Sequence, residues 1–139
     1  MKKRVALMAV CIFVVNLIVG NCLAAVGSGT ANPLYDLTKR IIPSLRISSG
    51  GSAECSGSIK ALDPADTIDI TLDLLVKNGK VWEPYMHWKA SGATGGTELR
   101  RTCAVNPGTY KLKVTSTITS TTGKTETVIA YSAEKTYAG

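Results

Sequence analysis

The chain has one His and one Phe in 139 residues, and only two of its four Cys, Cys55 and Cys103, lie beyond residue 22. Each scarcity excludes something. General acid–base chemistry draws most often on His, and a Cys nucleophile needs a base beside it. His87 has no Cys close to it in the chain. Two Cys and one His without a closely spaced ligand pair do not make a metal site. No Gly-x-Ser-x-Gly elbow occurs. Asp69 and Asp73 share one side of an expected strand, whereas a glycosidase pair must face across a cleft. No basic run interleaved with aromatics marks a nucleic-acid surface. Charged residues make up only 19% of the chain and Gly occurs 13 times, which disfavours a helical bundle. The expectation is no catalytic residue, no metal, no cofactor and no nucleic-acid partner.

What is present begins with a leader. Lys2, Lys3 and Arg4 precede an apolar run from Val5 to Val19 that only Asn16 interrupts. Cys22 and Ala24 then supply small residues for a signal-peptidase site. The run is shorter than the roughly 20 residues needed to span a bilayer. Cleavage near Ala24 or Ala25 is therefore expected, giving a secreted, extracellular protein with no membrane span. The cut removes three basic residues, so 13 basic side chains face 10 acidic ones and the net charge falls from +6 to +3. It also removes Cys11 and Cys22. The remaining even pair, Cys55 and Cys103, reads as one disulfide in an exported chain.

Residues 26–43 open with Gly27, Ser28, Gly29 and Asn32-Pro33, a linker composition. Leu34, Leu37, Ile41 and Ile42 read either as one short helix or as a plain arm. Residues 44–139 are patterned with a period of two. Leu45 and Ile47 open a short strand. Ala53, Cys55, Gly57 and Ile59 alternate with Glu54, Ser56, Ser58 and Lys60, a half-buried strand with Cys55 on the core side. Ile68, Ile70, Leu72 and Leu74 form the clearest strand, closed by an Asn78-Gly79 hairpin turn. Lys80 to Lys89 returns, with Trp82, Pro84, Met86 and Trp88 on one face and Val81, Glu83, Tyr85 and His87 on the other. Pro84 cannot donate to a ladder, so this strand belongs at an edge or at a bulge. Leu99, Arg101, Cys103 and Val105 follow, with Arg101 breaking the apolar pattern. Tyr110, Leu112 and Val114 alternate with Lys111, Lys113 and Thr115. Val128 to Tyr137 closes the sheet. About seven short strands with turns between them predict an all-β, antiparallel, immunoglobulin-like sandwich over a closed barrel.

The phrase Val105-Asn106-Pro107-Gly108-Thr109-Tyr110 resembles the tyrosine corner of immunoglobulin-like and fibronectin type III-like modules. In antibody domains the second Cys follows the Tyr by two positions, whereas Cys103 precedes Tyr110. A Cys55–Cys103 bridge would therefore join neighbouring strands of one sheet. The runs Cys55-Ser56-Gly57-Ser58-Ile59, Ile68-Asp69-Ile70-Thr71-Leu72, Asn78-Gly79-Lys80-Val81-Trp82 with Trp88, and Pro107-Gly108-Thr109-Tyr110 resemble small secreted single-domain β proteins of Gram-positive bacteria that carry no assigned function. That resemblance covers roughly residues 44 to 134 and implies a class without a mechanism. A Leu-Pro-x-Thr-Gly sorting signal is missing from the last residues, so free secretion is expected.

Trp82, Tyr85, His87 and Trp88 are the candidate binding surface, since both Trp of the chain fall within seven residues. The competing use of the Trp rings is burial, because the only Phe leaves with the leader. Tyr85 and His87, opposite the Trp face, are the residues expected to be exposed. The function expected is non-catalytic binding of a cell-wall polymer, a glycan or an extracellular protein. The alternative is a bacteriocin-like antagonist or a small secreted hydrolase.

Overall fold

The computed structural model describes residues 35–139. The expected leader, residues 1–25, and residues 26–34 of the expected arm lie outside that span. The described chain is all β: β1 (Thr38–Ile47), β2 (Ser52–Ala61), β3 (Thr67–Asn78), β4 (Val81–Thr94), β5 (Gly96–Ala104), β6 (Gly108–Thr119), β7 (Thr125–Tyr131) and β8 (Lys135–Tyr137). All pairings are antiparallel. One sheet has the order β1-β2-β5 and the other β4-β3-β6-β7, with β8 beside the opposite end of β6. The sheets pack face to face as a sandwich rather than closing into a barrel.

The alternation read from the sequence builds the core. Ile68, Ile70, Leu72 and Leu74 of β3 are at most 1% exposed, and Leu112, Val114 and Ile118 of β6 are fully buried. Against them lie Ile41 and Leu45 of β1, Ala53, Cys55 and Ile59 of β2, and Leu99 of β5. Each Val, Leu and Ile among them contributes about 1.5–3 kcal/mol by leaving water. Gly57 marks the closest approach of the sheets: a Cβ there would sit 2.9 Å from Leu72 Cδ2 and 2.9 Å from Val114 Cγ1. The outward positions of β3 and β6 are Thr, Asp and Lys, with Leu75 the one apolar exception, as suits a solvated strand face.

Chain connections are of two kinds, hairpins within a sheet and crossings between sheets. β1–β2 and β3–β4 are hairpins, while β2 to β3, β4 to β5 and β5 to β6 pass between sheets. At the β4–β5 crossing Gly95 has φ +74°, and a Cβ there would lie 2.8 Å from the Pro64 carbonyl oxygen. Its N–H donates to the Asp66 carbonyl, and its own carbonyl accepts from Ala61 N–H. Only Gly suits that conformation and that proximity.

Four expectations are corrected in detail. First, the domain does not begin at residue 44, because β1 starts at Thr38 within the stretch expected to be an arm or a helix. Ile41 faces the core in step with Leu45. Pro43 is tolerated because β1 is an edge strand. The Glu126 carboxylate of β7 anchors its start, accepting from the N–H groups of Asp36, Leu37 and Thr38 and from the Thr38 hydroxyl. Second, the two-residue turn falls on Gly79-Lys80, with Asn78 paired to Val81. Only Gly79 has positive φ, +63°, as a II′ turn requires. Third, the last strand is two strands, because Ser132 turns the chain at β6, its N–H and Oγ exchanging hydrogen bonds with the Leu112 backbone.

The fourth correction is the disulfide. Cys55 and Cys103 are free thiols. They do lie on adjacent strands of one sheet, but Cys55 stands opposite Arg101 and Cys103 opposite Ala53. A directly opposed pair brings its Cβ atoms closest, and this diagonal register does not give the two Cys that pairing. Arg101 itself is exposed at the β5 edge, which accounts for its break in the apolar pattern.

Candidate functional site

The site grows out of an irregularity in β4. Along β3, Leu74 pairs with Met86 but the next residue, Leu75, pairs with Pro84, so Tyr85 is an extra residue in the edge strand. Pro84 has no N–H, and an edge bulge is where a strand accommodates that loss. One extra residue reverses every side chain beyond it. Trp88 pairs with core-facing Leu72 and packs against the core, whereas Trp82 pairs with outward-facing Lys77. The two Trp, expected on one face, lie on opposite faces of the sheet.

Tyr85 also departs from expectation, turning inward at the bulge. Its ring meets that of Tyr110 edge-on, with centroids 5.4 Å apart and planes at 82°, the arrangement aromatic quadrupoles favour. Its hydroxyl donates to the Ala104 carbonyl at 3.2 Å, linking β4 to the end of β5. Tyr110 is 1% exposed and donates to the Asn106 carbonyl at 2.6 Å. The corner expected from the sequence thus has the hydrogen bond that defines it. Burial, and then the neighbouring Tyr85, raise the Tyr110 hydroxyl above its ordinary pKa. Nearby, burial together with Cys103 and Glu54 pushes the Cys55 thiol up to about 12, and burial also raises Cys103. These thiols are poor nucleophiles at neutral pH.

The outward residues form a different surface. Trp82 and Pro84 of β4, Asp73 and Leu75 of β3, Lys111 and Lys113 of β6 and Tyr131 of β7 line a shallow groove of about 450 Å³. Lys111 Nζ lies 4.4 Å from the Trp82 ring centroid and 4.6 Å from that of Tyr131, and Lys77 Nζ lies 5.8 Å from Trp82. His87, outward as expected, has its Nδ1 2.6 Å from Asp73 Oδ1 with its side chain 64% exposed. No hydroxyl or thiol is hydrogen-bonded to that ring among the described residues, so the pair lacks the third member of a nucleophilic triad. No group of three or more His, Cys, Asp or Glu side chains is placed to hold a metal ion among the described residues.

Of the four candidate residues, then, Trp82 and His87 face the groove side while Tyr85 and Trp88 face the core. Lys77, Lys111, Lys113 and Tyr131 complete the surface and were not singled out from the sequence. The alternation of Lys111 and Lys113 with Leu112 put them on an outer face, but their meeting with Trp82 depends on β3 lying between β4 and β6.

The opposite sheet offers a contrast. Its outer face carries Arg100 between Glu54 and Glu98, at 3.2 and 2.8 Å. A broader depression of about 640 Å³ at the other end is bordered by Lys39, Arg40 and Lys60 and by the glycines of the β4–β5 crossing. It contains no aromatic ring. Compared with known proteins, the chain matches no family model, no curated protein and no solved structure.

Proposed function

We propose that this chain is a secreted, non-catalytic binding module of immunoglobulin-like architecture, and that it holds an extracellular polymer or glycan on the outer face of the β4-β3-β6-β7 sheet. One observation carries the proposal: two aromatic rings and three lysines gather around a groove on a face where folding needs none of them. Burial explains Trp88, Tyr85 and Tyr110. Core packing does not explain Trp82 and Tyr131, which are partly exposed and flank an ammonium on the outer face. Isolated apolar residues on a surface are ordinary, but aromatic side chains clustered with cations favour binding faces. The strand order and the tyrosine corner support the immunoglobulin-like assignment, and the basic and apolar leader supports secretion.

Retention of the full chain on immobilised glycans and wall polymers tests the proposal. Trp82→Ala is expected to abolish retention, whereas Arg100→Ala, on the ion-paired face of the other sheet, leaves it unchanged. Retention that is indifferent to Trp82, or no retention on any polymer, overturns it.

A further inference from the structure

We infer that the ligand of this face is an acidic polysaccharide, whose carboxylates pair with Lys111, beside the Trp82 ring, and with Lys113, while its sugar rings lie against Pro84 and Leu75. The inference rests on the reading of this face as the binding surface and narrows it to one chemistry.

The charge around the groove is lopsided. Lys77, Lys111 and Lys113 stand against one carboxylate, Asp73, which sits opposite Lys113 in register and lies 2.6 Å from His87 Nδ1. None of the three lysines makes an ion pair among the described residues. The groove therefore keeps an uncompensated positive charge, which attracts anions at range.

The rings are not bare. Lys111 Nζ lies over both Trp82 and Tyr131. A neutral sugar stacking on those same ring faces would displace the ammonium and forfeit both cation–π contacts. An acidic sugar leaves the ammonium in place and adds a charge-assisted pair to it. A carboxylate that reaches Lys111 is flanked by the two rings, and the C–H face of its own ring is left to the apolar groove walls. Lys113, two residues along the same strand, lies about 7 Å further on and meets a second acid on the same chain.

An acidic peptide shares the charge but fits the surface less well. Peptides that bind sheets mostly add a strand at an edge, using backbone hydrogen bonds. This groove lies on the face of the sheet, and the nearest edge, β4, is interrupted by Pro84 and by register shifts at Tyr85 and near Gly92, features that disfavour strand addition.

The test measures binding of the full chain to polygalacturonate and to its methyl-esterified form, which keeps the ring and loses the charge. The acid form is expected to bind at least about tenfold tighter, a difference of ~1.4 kcal/mol. That binding is expected to weaken as salt rises, to be lost in Trp82→Ala and to fall about tenfold in a Lys111→Met, Lys113→Met double variant. Circular dichroism confirms that each variant is folded. Equal binding of the two forms, lost in Trp82→Ala, overturns the acidic ligand while leaving the binding face intact. Equal binding of polyglutamate, unaffected by Trp82→Ala, reduces the effect to bare charge and overturns it too. No binding of any polysaccharide overturns the inference together with the reading beneath it.

Discussion

Trp82 and Trp88 are the same residue, six positions apart on one edge strand, and they do opposite things. Trp88 pairs with Leu72 and packs on the core, whereas Trp82 pairs with Lys77 and leans over Lys111 on the outside. The difference is one inserted residue, Tyr85. Without it a strict period of two would place both rings on one face, leaving the core with one Trp too many or one too few. The bulge gives each sheet face one Trp and sends Tyr85 to Tyr110. A bulge beside a proline is thus a device that re-aims side chains. It separates residues that stabilise the fold from residues free to bind.

That separation predicts unequal costs. Trp88→Ala should produce the largest loss, about 2–4 kcal/mol, because a half-buried ring leaves a cavity that the sandwich closes only in part. Urea titration measures it, and the glycan binding of the still-folded variant should match that of the parent. Next comes Gly57→Ala on the inner face, at about 1–3 kcal/mol, from forcing a methyl against Leu72 and Val114. An equal loss from Trp82→Ala would erase the distinction between the two faces.

How much of this was legible beforehand follows the same divide. The inner face was readable because alternation and burial agree: Ile68 to Leu74 and Tyr110 to Val114 fall where the pattern put them. Tyr110 was readable because its corner is local, a hydroxyl reaching back four residues to Asn106. The outer site was not. Pro84 announced an edge or a bulge, but no sequence rule says which neighbouring residue becomes the insertion, and every side chain between Trp82 and Trp88 depends on that choice. Tyr131 is 49 positions from Trp82 and meets the same lysine only because β6 lies between β3 and β7. The start of β1 was hidden for a similar reason. Its first turn is held by Glu126, 88 residues downstream of Thr38, so local composition suggested a tether.

Two smaller effects belong to the inner face. Tyr110→Phe should cost about 1–1.5 kcal/mol, the net worth of a buried hydrogen bond whose acceptor is left unpaired. The denaturation midpoint should fall with the slope unchanged. Alkaline pH should act on Cys55. Burial pushes its thiol up to about 12 in the folded chain from an ordinary 9.0, so above pH 9 the unfolded chain releases a proton that the native one retains. Stability is complete below pH 9 and declines as pH climbs toward 12, by on the order of 1 kcal/mol at pH 10. Tyr110 adds to the decline, since its pKa is raised as well. Cys55→Ala should therefore flatten the pH profile of stability without making it level. A variant profile identical to the parent's would place the titration elsewhere.

The smallest change in stability should come from Trp82→Ala, and it sharpens the contrast most. On folding, the Trp82 ring gains contact with Lys111 and Lys77 but fills no cavity in the core. Cation–π contacts at exposed sites contribute about 0.5–1 kcal/mol, and the lysines that lose the ring regain hydration. The expected loss is no more than about 1 kcal/mol by urea titration, well under that of Trp88→Ala. Ligand retention should nevertheless vanish. A residue whose removal scarcely disturbs the fold yet abolishes binding is kept for the ligand. If Trp82→Ala instead unfolds the domain, then the ring is a structural cover for the β3–β6 face, and the two tryptophans differ in position but not in purpose.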